Sequence, residues 1–429
     1  MQPNHNYQKK FERIAIQTPF VSLDHQQQTV IRDMAHHFRF TLQELRQVSE
    51  IALDLNMWGE PGPGAEWRNR SGDIPDRIDK RELLERINDR WRQLKAAPNY
   101  YPQLPPQSPQ PLTARVVTRD KQRLGLGQCP VASEKTRCCN LLTLDAVENC
   151  GYHCSYCSIQ SFRDGHAVYF DTSFADKLRS LKLDPNRTYH IGTGQSSDSL
   201  MWGNSHGVLD ALIDFAKSNP NVILELKTKS GNVGHLLRHD LPANLICTWS
   251  LNPQRLIAHE ERASASLDKR LDAALQIADA GSLVGFHFHP MIHYQGWQQD
   301  YGKLFSRLQQ LFMPDQVVMV SFGTLTFTKT VVRKIRESSV KSQILKLELI
   351  EADGKLSYSD EIKHALFSFA YNSFQETWKQ SVFFYLCMEN PRFWVPVFGY
   401  DYPSNPAFEK AMHGNYLRKI ARSAARTNR

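Results

Sequence analysis

Residues 150–157 read Cys-Gly-Tyr-His-Cys-Ser-Tyr-Cys and place three thiols, Cys150, Cys154 and Cys157, within eight positions of the chain. The stretch follows residues 141–147, an apolar run that predicts a first β-strand. Three cysteines at this spacing can bind three irons of a cubane cluster, whereas such clusters normally have four cysteine ligands. We therefore expect an iron–sulfur centre with one iron left open to a ligand from outside the protein.

The open iron has a chemical use. An amino-carboxylate, such as the methionine end of S-adenosylmethionine, could bind there, and an electron from the cluster could then cleave the sulfonium to an adenosyl radical. That chemistry belongs to the cofactors, whereas the protein supplies position and exclusion of solvent. The alternative is a structural zinc site, completed by His153 or by Cys138 and Cys139.

After the cysteines, short apolar or β-branched runs alternate with helical patterns. They predict strands at 187–192, 222–228, 245–251, 283–288 and 317–322, and helices at 207–217, 233–238, 267–280 and 301–312. Alternation at this spacing favours parallel strands joined by helices. We therefore expect an α/β fold with a partial barrel, whose active site lies where the strands end and the loops begin.

The rest of the chain is organised around this barrel, which is expected to span residues 115–365. Residues 1–97 carry helical patterns, including a capping box from Thr41 to Glu44. Prolines crowd residues 98–114, which predicts a linker because proline supplies no amide donor. Residues 366–429 form a C-terminal extension that ends in a basic tail of Arg418, Lys419, Arg422, Arg426 and Arg429.

Composition narrows the function classes. The chain has 429 residues, 41% of them hydrophobic, and its apolar runs are far shorter than the roughly 18 residues that cross a bilayer. The first ten residues lack the apolar segment of a secretory signal, so we expect a cytoplasmic protein. The net charge of +8 is concentrated in the basic tail, which suits either a polyanion or a solvated terminus. Six of the eight cysteines lie between 129 and 157, which indicates metal binding or catalysis rather than disulfides.

Together, the C-x3-C-x2-C spacing and the β/α alternation resemble the radical S-adenosylmethionine superfamily. Within it, residues 115–365 are similar to the spore photoproduct lyase group of DNA repair enzymes. The landmarks are Thr228-Lys229, residues 233–237, residues 248–252, residues 267–270, Ala280-Gly281, Gly285-Phe286, Pro290, Gly296-Trp297, Tyr301 and residues 327–329. The first 110 residues and the last 65 have no counterpart in the resemblance.

The resemblance implies a (β/α)6-type radical SAM barrel and a lyase that uses a [4Fe-4S] cluster and S-adenosylmethionine. Its substrate would be a nucleic-acid base or a DNA photolesion, extruded from the base stack to reach the radical. DNA would be the partner, and a flavodoxin or ferredoxin the electron donor. RNA, a peptide or a small metabolite is the runner-up substrate. A non-catalytic nucleic-acid-binding protein with zinc or a cluster is the alternative from another class.

Residue roles follow from the same resemblance. The metal ligands would be Cys150, Cys154 and Cys157. The cofactor-binding residues would be Tyr156, Gly194, Ser196, Lys229 and Ser250. Tyr156 would also take part in radical relay, while Lys229 and the two serines would bind the methionine carboxylate and neighbouring polar atoms. At Gly194 the backbone is expected to approach the cofactor, a plain strand-to-loop turn being the alternative.

Two positions depart from the group's pattern. Ser158 stands where its lyases have a second tyrosine, and the catalytic position Gln195 stands where they have a hydrogen-donating cysteine. Glutamine cannot donate a hydrogen atom as a thiol does, so the relay that returns hydrogen to the repaired thymine is interrupted. Another thiol could substitute, and the candidates are Cys138, Cys139 and Cys247.

Three further patterns are compatible with more than one role. Three imidazoles could bind a second metal, line the barrel or pack in the core, and the resemblance has mainly apolar residues there: His287, His289 and His293. A basic helix face would suit a phosphate backbone or a solvated surface, and it carries Lys329, Arg333, Lys334 and Arg336. Aromatic residues within 393–402 could stack on a splayed base or pack a terminal subdomain.

Overall fold

The structure, a computed structural model, describes residues 5–67, 79–103, 114–129, 135–159, 167–338, 340–352 and 354–427. Its helices are α1 (His5–Ala15), α2 (His25–Phe38), α3 (Leu42–Trp58), α4 (Gly64–Trp67), α5 (Lys80–Ala96), α6 (Phe174–Ser180), α7 (Val208–Ser218), α8 (Gln254–Glu260), α9 (Leu267–Asp279), α10 (Trp297–Leu311), α11 (Lys329–Glu337), α12 (Asp360–Asn372), α13 (Glu376–Ser381), α14 (Trp394–Phe398) and α15 (Asn405–Thr427). Its strands are β1 (Arg115–Arg119), β2 (Leu126–Gln128), β3 (Leu142–Leu144), β4 (Val147–Glu148), β5 (His153–Cys154), β6 (Ala167–Asp171), β7 (Tyr189–Thr193), β8 (Val222–Thr228), β9 (Leu245–Ser250), β10 (Glu261–Arg262), β11 (Val284–Met291), β12 (Val317–Thr324), β13 (Thr326–Phe327), β14 (Ile350–Ala352), β15 (Lys355–Ser357) and β16 (Phe383–Leu386). Within those ranges, no helix combines the length and the hydropathy that a bilayer crossing requires.

The described chain divides into two compact units. One comprises the chain up to Tyr100 together with Phe327–Leu356, and the other comprises Tyr101–Thr326 and the chain from Ser357 onward. The expected barrel boundaries of 115–365 differ from this division, because residues 327–356 group with the N-terminal helices. Residues 366–429, expected as an extension, belong to the barrel unit. The expected proline linker at 98–114 lies mostly outside the described residues.

The barrel unit is built on an eight-stranded sheet with the strand order β16-β12-β11-β9-β8-β7-β3-β2. Every neighbouring pair is parallel except β2 with β3. Parallel strands require crossover connections, which helices such as α7, α9 and α10 supply. The expected partial β/α barrel is confirmed, and β16 adds a seventh parallel strand from the region expected to be an extension.

One expected helix is shorter than its sequence pattern. Residues 233–238 were expected to be helical, but the structure has a single 3-10 turn at Leu236–Arg238. Gly231, Gly234 and Pro242 lie in the connection between β8 and β9 and disfavour a longer helix. His235 lies at the N-terminal end of this turn.

Strand β8 shows how the sequence produces an inner and an outer face. Val222, Leu224 and Leu226 are fully buried, and strand alternation places them opposite Glu225 and Lys227. The Glu225 carboxylate bonds to histidines of two other strands of the sheet. The face that carries Glu225 and Lys227 is therefore the inner face of the barrel.

In the first unit, α3 begins and ends as its sequence predicts. The Thr41 hydroxyl accepts from the Glu44 amide (3.3 Å), and the Glu44 carboxylate accepts from the Thr41 amide (2.7 Å). Gly59 ends the helix in the left-handed conformation, with φ of 79°. The predicted capping box is thus present.

The predicted basic helix is α11 of the first unit, and its cations have acidic partners there. Arg336 lies 2.8 Å from Asp54 and 3.2 Å from Glu50. The exposed Lys329 lies 3.4 Å from Glu351. Much of the expected basic face is therefore neutralised within the unit, which weakens its case as a phosphate-binding surface.

The predicted basic tail is part of α15, which extends to Thr427, except for Arg429, which lies outside the described residues. Lys419 is buried, and its ammonium donates to the carbonyls of Pro314 and Val317, both at 2.5 Å. The aromatic residues nearby pack against one another, as shown by the Trp394 and Phe408 rings 5.1 Å apart. These residues therefore stabilise the end of the barrel unit.

Candidate active site

The cysteine loop is fixed by a distant segment of the chain. Cys154 lies in β5, which pairs with β10 in antiparallel register, Cys154 opposite Glu261. The Ser155 amide donates to the Glu260 carbonyl (2.9 Å), and the Cys157 amide donates to the Cys154 carbonyl (3.2 Å). The predicted ligand loop is thus held by backbone hydrogen bonds although only His153 and Cys154 of it form a strand.

The environment of the three thiols suits a soft metal centre. Burial raises the pKa of Cys150, and the nearby Asp198 raises it further. Burial also raises the pKa of Cys154 to about 12, against the effect of Lys229. A bound metal removes this cost because a ligating thiol loses its proton outright. The Cys150 sulfur also lies 4.0 Å from the Met201 sulfur.

A group that we call the rim cluster, Tyr156, Lys229, Glu261 and Arg270, stands beside the loop. The Tyr156 hydroxyl is hydrogen-bonded to the Glu261 carboxylate. The Lys229 ammonium donates to the Tyr156 oxygen (2.9 Å) and lies 3.4 Å from Glu261 Oε2. Arg270 Nη2 lies 2.6 Å from the same oxygen, and both side chains of this ion pair are fully buried. The structure therefore brings together Tyr156 and Lys229, as expected, with two charged residues that sequence reasoning did not assign.

The charges of the rim cluster set its protonation. Burial opposes ionisation of Glu261, but Arg270 and Lys229 outweigh it and lower the pKa of Glu261 to about 2. Burial, together with Glu261 and Cys154, raises the pKa of Tyr156 well above its ordinary value. At neutral pH one carboxylate thus faces two cations and a neutral phenol. The surplus positive charge suits an anionic ligand next to the cysteine loop.

Asp198 joins the loops that follow β7 and β8. Its carboxylate accepts from the Lys229 amide (2.6 Å), the Thr228 hydroxyl (2.7 Å) and the Leu200 amide (3.0 Å). Burial raises the pKa of Asp198 although these donors oppose the effect. The backbone from which the Lys229 side chain reaches the rim cluster is therefore held in place by a residue that sequence reasoning missed.

The other predicted cofactor-binding positions lie in the same loops. Gly194 has a φ of 82°, and an added Cβ would lie 2.6 Å from the Lys227 carbonyl, so β8 itself requires the glycine. The Ser196 hydroxyl donates to the Val147 carbonyl (2.8 Å), and the Ser250 carbonyl accepts from Arg270 Nη1 (2.8 Å). Gln195 is half-buried beside Ser196. Roles of these residues toward a cofactor stay predictions.

A second group, which we call the inner cluster, comprises His190, Glu225, His287 and Ser321 on the inner face. Glu225 lies 2.9 Å from His190 Nε2 and 2.8 Å from His287 Nε2. His287 Nδ1 lies 2.7 Å from the Ser321 hydroxyl. Burial opposes ionisation of Glu225, but Lys227 and the two imidazoles hold its pKa well below the ordinary value. His287 is thus a hydrogen-bonded residue of the barrel interior.

The other two histidines of the predicted trio have separate surroundings. Burial and the neighbouring His287 lower the pKa of His289 to about 3. The His293 backbone amide donates to the Tyr358 hydroxyl (3.0 Å), and the His293 ring lies 5.8 Å from the Trp297 ring. The described contacts therefore favour interior and core roles for these histidines over a second metal.

The thiols considered as hydrogen donors separate into two groups. Cys247 precedes Thr248, whose hydroxyl donates to Glu225 on the inner face (2.8 Å), so alternation places Cys247 on the outer face. A hydrogen bond with Cys138 is the largest effect that raises the pKa of Cys139, burial and Cys387 raise it further, and Lys227 lowers it. The Arg137 amide donates to the Glu389 carbonyl (3.1 Å), which joins these two parts of the chain. Cys387, not considered from sequence, therefore joins Cys139 near Lys227.

The residues missed from sequence had detectable signals. Asp198, Glu225 and Glu261 are acidic residues within or directly after apolar strands and helices, where charge is costly unless it is paired. The link from Ser155 to Glu260, however, spans 105 positions of the chain and has no local signature.

Comparisons with known proteins agree with this architecture. Residues 142–383, more than half of the chain, match the family model described as spore photoproduct lyase. The spore photoproduct lyase of Geobacillus sp. (strain Y412MC61) is 27% identical over 216 residues, which cover 49% of this chain and 62% of that protein. The spore photoproduct lyase of Bacillus subtilis (strain 168) is 28% identical over 237 residues, covering 51% and 68%. The chain thus spans less than two thirds of the length of the Geobacillus relative.

Solved structures show the same fold. A cysteine-to-serine variant of spore photoproduct lyase superposes with a TM-score of 0.53 at 21% identity, covering 63% of this chain and 82% of that chain. A tyrosine-to-phenylalanine variant gives a TM-score of 0.51 with the same identity and coverage. The likeness at this identity supports the fold, a partial β/α barrel, and the fold alone.

Proposed function

The chain belongs to the spore photoproduct lyase family, and from this premise we propose that it is a radical S-adenosylmethionine enzyme acting on a nucleic-acid base or DNA photolesion. The observation that carries the proposal is the cysteine loop beside the rim cluster: three thiols, a buried tyrosine and two cations around one carboxylate. A [4Fe-4S] cluster and S-adenosylmethionine, when bound, would supply the electron and the 5′-deoxyadenosyl radical.

The chain's own residues bind and orient in this proposal. Cys150, Cys154 and Cys157 are the thiolate ligands, and the cations of Lys229 and Arg270 offset negative charge next to them. Lys229 offers its ammonium to the carboxylate of S-adenosylmethionine, because that ammonium is held 2.9 Å from Tyr156 at the loop.

Three residues complete the cofactor contacts. Ser196 contributes polar atoms after β7 and Ser250 at the end of β9, the two strands that flank β8, and Gly194 shapes the turn after β7. The Tyr156 phenol stays protonated and donates a hydrogen bond to the Glu261 carboxylate, so loss of a hydrogen atom from the phenol would remove that proton together with one electron. The tyrosine is thereby suited to hydrogen-atom relay and unsuited to act as a base.

The return of hydrogen to the substrate needs a donor other than residue 195. Gln195 has no thiol and Ser158 has no phenol. In this proposal the inner thiols Cys139 and Cys387, grouped near Lys227, take that place. Cys247 does not, since it lies on the outer face of β9.

A second candidate function has the same initiation and a different substrate. Gln195, Ser158 and His287 depart from the pattern that the resemblance gives, which favours RNA, a peptide or a small metabolite over the spore photoproduct. Under either candidate, a flavodoxin or ferredoxin supplies electrons, and the enzyme acts in the cytoplasm.

One experiment separates these candidates. The anaerobically reduced enzyme is given S-adenosylmethionine and the dinucleoside spore photoproduct, and both 5′-deoxyadenosine and the repaired dinucleotide are quantified. Formation of both supports DNA repair. Formation of 5′-deoxyadenosine without consumption of the dinucleotide contradicts the DNA repair function and favours the second candidate. A colourless zinc protein that forms neither product would contradict the enzyme class, leaving the non-catalytic nucleic-acid-binding protein.

A further inference from the structure

Two imidazoles and one carboxylate meet in the barrel unit among residues that have no part in the proposed reaction. Asp210 lies in the first turn of α7, and His235 and His239 flank the 3-10 turn at Leu236–Arg238. One potential ligand atom from each side chain lies within 4.8 Å of the other two. The structure thus assembles a three-donor site from two separate connections of the barrel.

Hydrogen bonds already orient the carboxylate toward the imidazoles. Asp210 Oδ2 accepts from the Asn204 amide group (2.7 Å), and the Asp210 amide donates to Asn204 Oδ1 (3.1 Å). The other carboxylate oxygen, Oδ1, lies 2.7 Å from His235 Nε2 and 3.7 Å from His239 Nε2. Burial opposes ionisation of Asp210, but the bonds from Asn204 and His235 hold its pKa below the ordinary value. The carboxylate is therefore anionic and aimed between two nitrogens.

The backbone orients the imidazoles as well. The His239 amide donates to the Leu236 carbonyl (3.0 Å), and the fully buried Leu236 side chain anchors the turn. The two rings lie 4.6 Å apart at an angle of 45°. In sequence the pair reads His-x3-His, a spacing that recurs in metal sites because it brings two imidazoles to one side of a turn.

We propose that Asp210, His235 and His239 bind a divalent transition-metal cation of the zinc class. Two neutral imidazoles and one carboxylate are a borderline nitrogen and oxygen donor set, which prefers zinc and its neighbours to magnesium or calcium. Partial exposure of His239 and Asp210 leaves room for water as a further ligand. Binding replaces the shared proton of the Asp210–His235 bond by the cation.

One neighbouring charge opposes this site. Arg238 Nη2 lies 3.3 Å from His235 Nδ1, the nitrogen that a metal at Nε2 leaves protonated. Both the like charge and the facing donors disfavour metal binding, so Arg238 limits the affinity. Removal of the Arg238 side-chain charge is therefore expected to raise the affinity of the site for the cation.

A cation bound to these three residues would crosslink the connections after β7 and after β8, which support the rim cluster. The connection after β7 carries Asp198 and Met201, and the connection after β8 begins with Lys229. Metal binding would therefore stabilise the loops around the cysteine centre without taking part in its chemistry. The inference uses none of the residues of the proposed reaction, so its failure would leave the proposed function standing.

The test uses the cluster-loaded enzyme, in which the cysteine loop is already occupied. This protein is dialysed anaerobically against Zn²⁺ at graded concentrations. Zinc per chain is measured by mass spectrometry, and zinc X-ray absorption reads the ligand shell. We expect saturable binding of one zinc through nitrogen and oxygen at about 2.0–2.1 Å, without sulfur at about 2.3 Å. His239→Ala, which keeps the Asp210–His235 bond, is expected to weaken binding more than tenfold, and Asp210→Asn at least as much.

Two further variants sharpen the result. Arg238→Gln is expected to tighten binding severalfold, because it removes the adjacent positive charge. His364→Ala, which removes an exposed histidine of α12, is the matched control and is expected to change nothing. Three outcomes would each overturn the proposal. They are equal zinc binding by the wild type and His239→Ala, zinc coordinated by sulfur in the wild type, and no saturable binding at micromolar zinc. Circular dichroism and iron content confirm that each variant is folded.

Discussion

The rim cluster and the inner cluster both surround a buried carboxylate, but different groups neutralise it. At the rim, Glu261 faces the cations of Lys229 and Arg270 and fixes the phenol of Tyr156 beside the cysteine loop. In the interior, Glu225 faces two imidazoles and a hydroxyl on the inner face of the barrel.

The difference separates what this chain shares with its family from what is its own. Tyr156 and Lys229 of the rim cluster fall on positions that the family resemblance assigns, whereas the resemblance has a mainly apolar residue at the position of His287. We therefore expect the rim cluster to serve the proposed radical initiation and the inner cluster to contact the substrate.

The largest expected effect is loss of the metal centre. Cys154→Ala removes one of three thiolate ligands, so we expect both bound iron and 5′-deoxyadenosine formation to be abolished, as measured on the anaerobically reconstituted protein. Cys247→Ala is the matched control, since this thiol lies on the outer face, and its iron content should equal that of the wild type. Retention of cleavage activity by Cys154→Ala would contradict the assignment of Cys154 as a ligand of the cluster.

The second effect is on stability and follows from the buried ion pair of the rim. Glu261→Gln leaves Arg270 and Lys229 without their counter-charge, which is expected to cost about 3–5 kcal/mol in the free energy of unfolding of the barrel unit. Urea denaturation followed by tryptophan fluorescence measures the change. The exposed control Asp240→Asn should shift the midpoint little.

The same carboxylate predicts a pH dependence. Its pKa is about 2 in the folded chain against an ordinary value of 4.5, so its contribution to stability is present above pH 4.5 and is lost as the pH falls toward 2. The acid limb of the stability profile between these values should be flatter in Glu261→Gln. An unchanged limb would show that Glu261 is not the group responsible.

The third effect concerns cofactor affinity. Lys229→Met removes a charged hydrogen-bond donor at the loop, and we expect S-adenosylmethionine to bind about 10–100-fold more weakly, since such bonds contribute about 1.5–3 kcal/mol. Equilibrium dialysis on the cluster-loaded protein measures the affinity. Lys217→Met, on the exposed end of α7, is the control. Equal affinity in both variants would remove Lys229 from the cofactor site.

The smallest effect on initiation is expected from the inner cluster. Glu225→Gln leaves one imidazole with a poorer partner, which is expected to destabilise the barrel unit by about 1–3 kcal/mol. Iron content and 5′-deoxyadenosine formation without substrate should stay at wild-type levels. If iron content or 5′-deoxyadenosine formation in Glu225→Gln falls as far as in Cys154→Ala, the two clusters do not have separate functions.

The sequence predicted the parts that depend on local pattern. The cysteine triplet, the strand–helix alternation and the α3 capping box are each encoded within a few turns of chain. The partners of these parts come from far along the sequence. Pairing of β5 with β10 depends on contact between residues 105 positions apart, and the local hydrophobic pattern of the sequence does not predict such a contact.

The C-terminal region was harder to predict for a related reason. Strand β16 is a short apolar run whose assignment to the sheet depends on its pairing with β12. Lys419 looks like part of a solvated tail, yet its ammonium is buried on backbone carbonyls at the far end of the barrel unit. The sequence gives the charge of such a residue, whereas the fold determines whether that charge is exposed to solvent.

The central claim is that three cysteines bind a cluster with one iron open to S-adenosylmethionine. Electron paramagnetic resonance of the reduced cluster, recorded with and without S-adenosylmethionine, tests it most directly. The account predicts a [4Fe-4S] signal, with about four irons per chain, whose g-values shift when the cofactor is added. A signal that the cofactor leaves unchanged, or a protein that binds zinc and no iron, would contradict it.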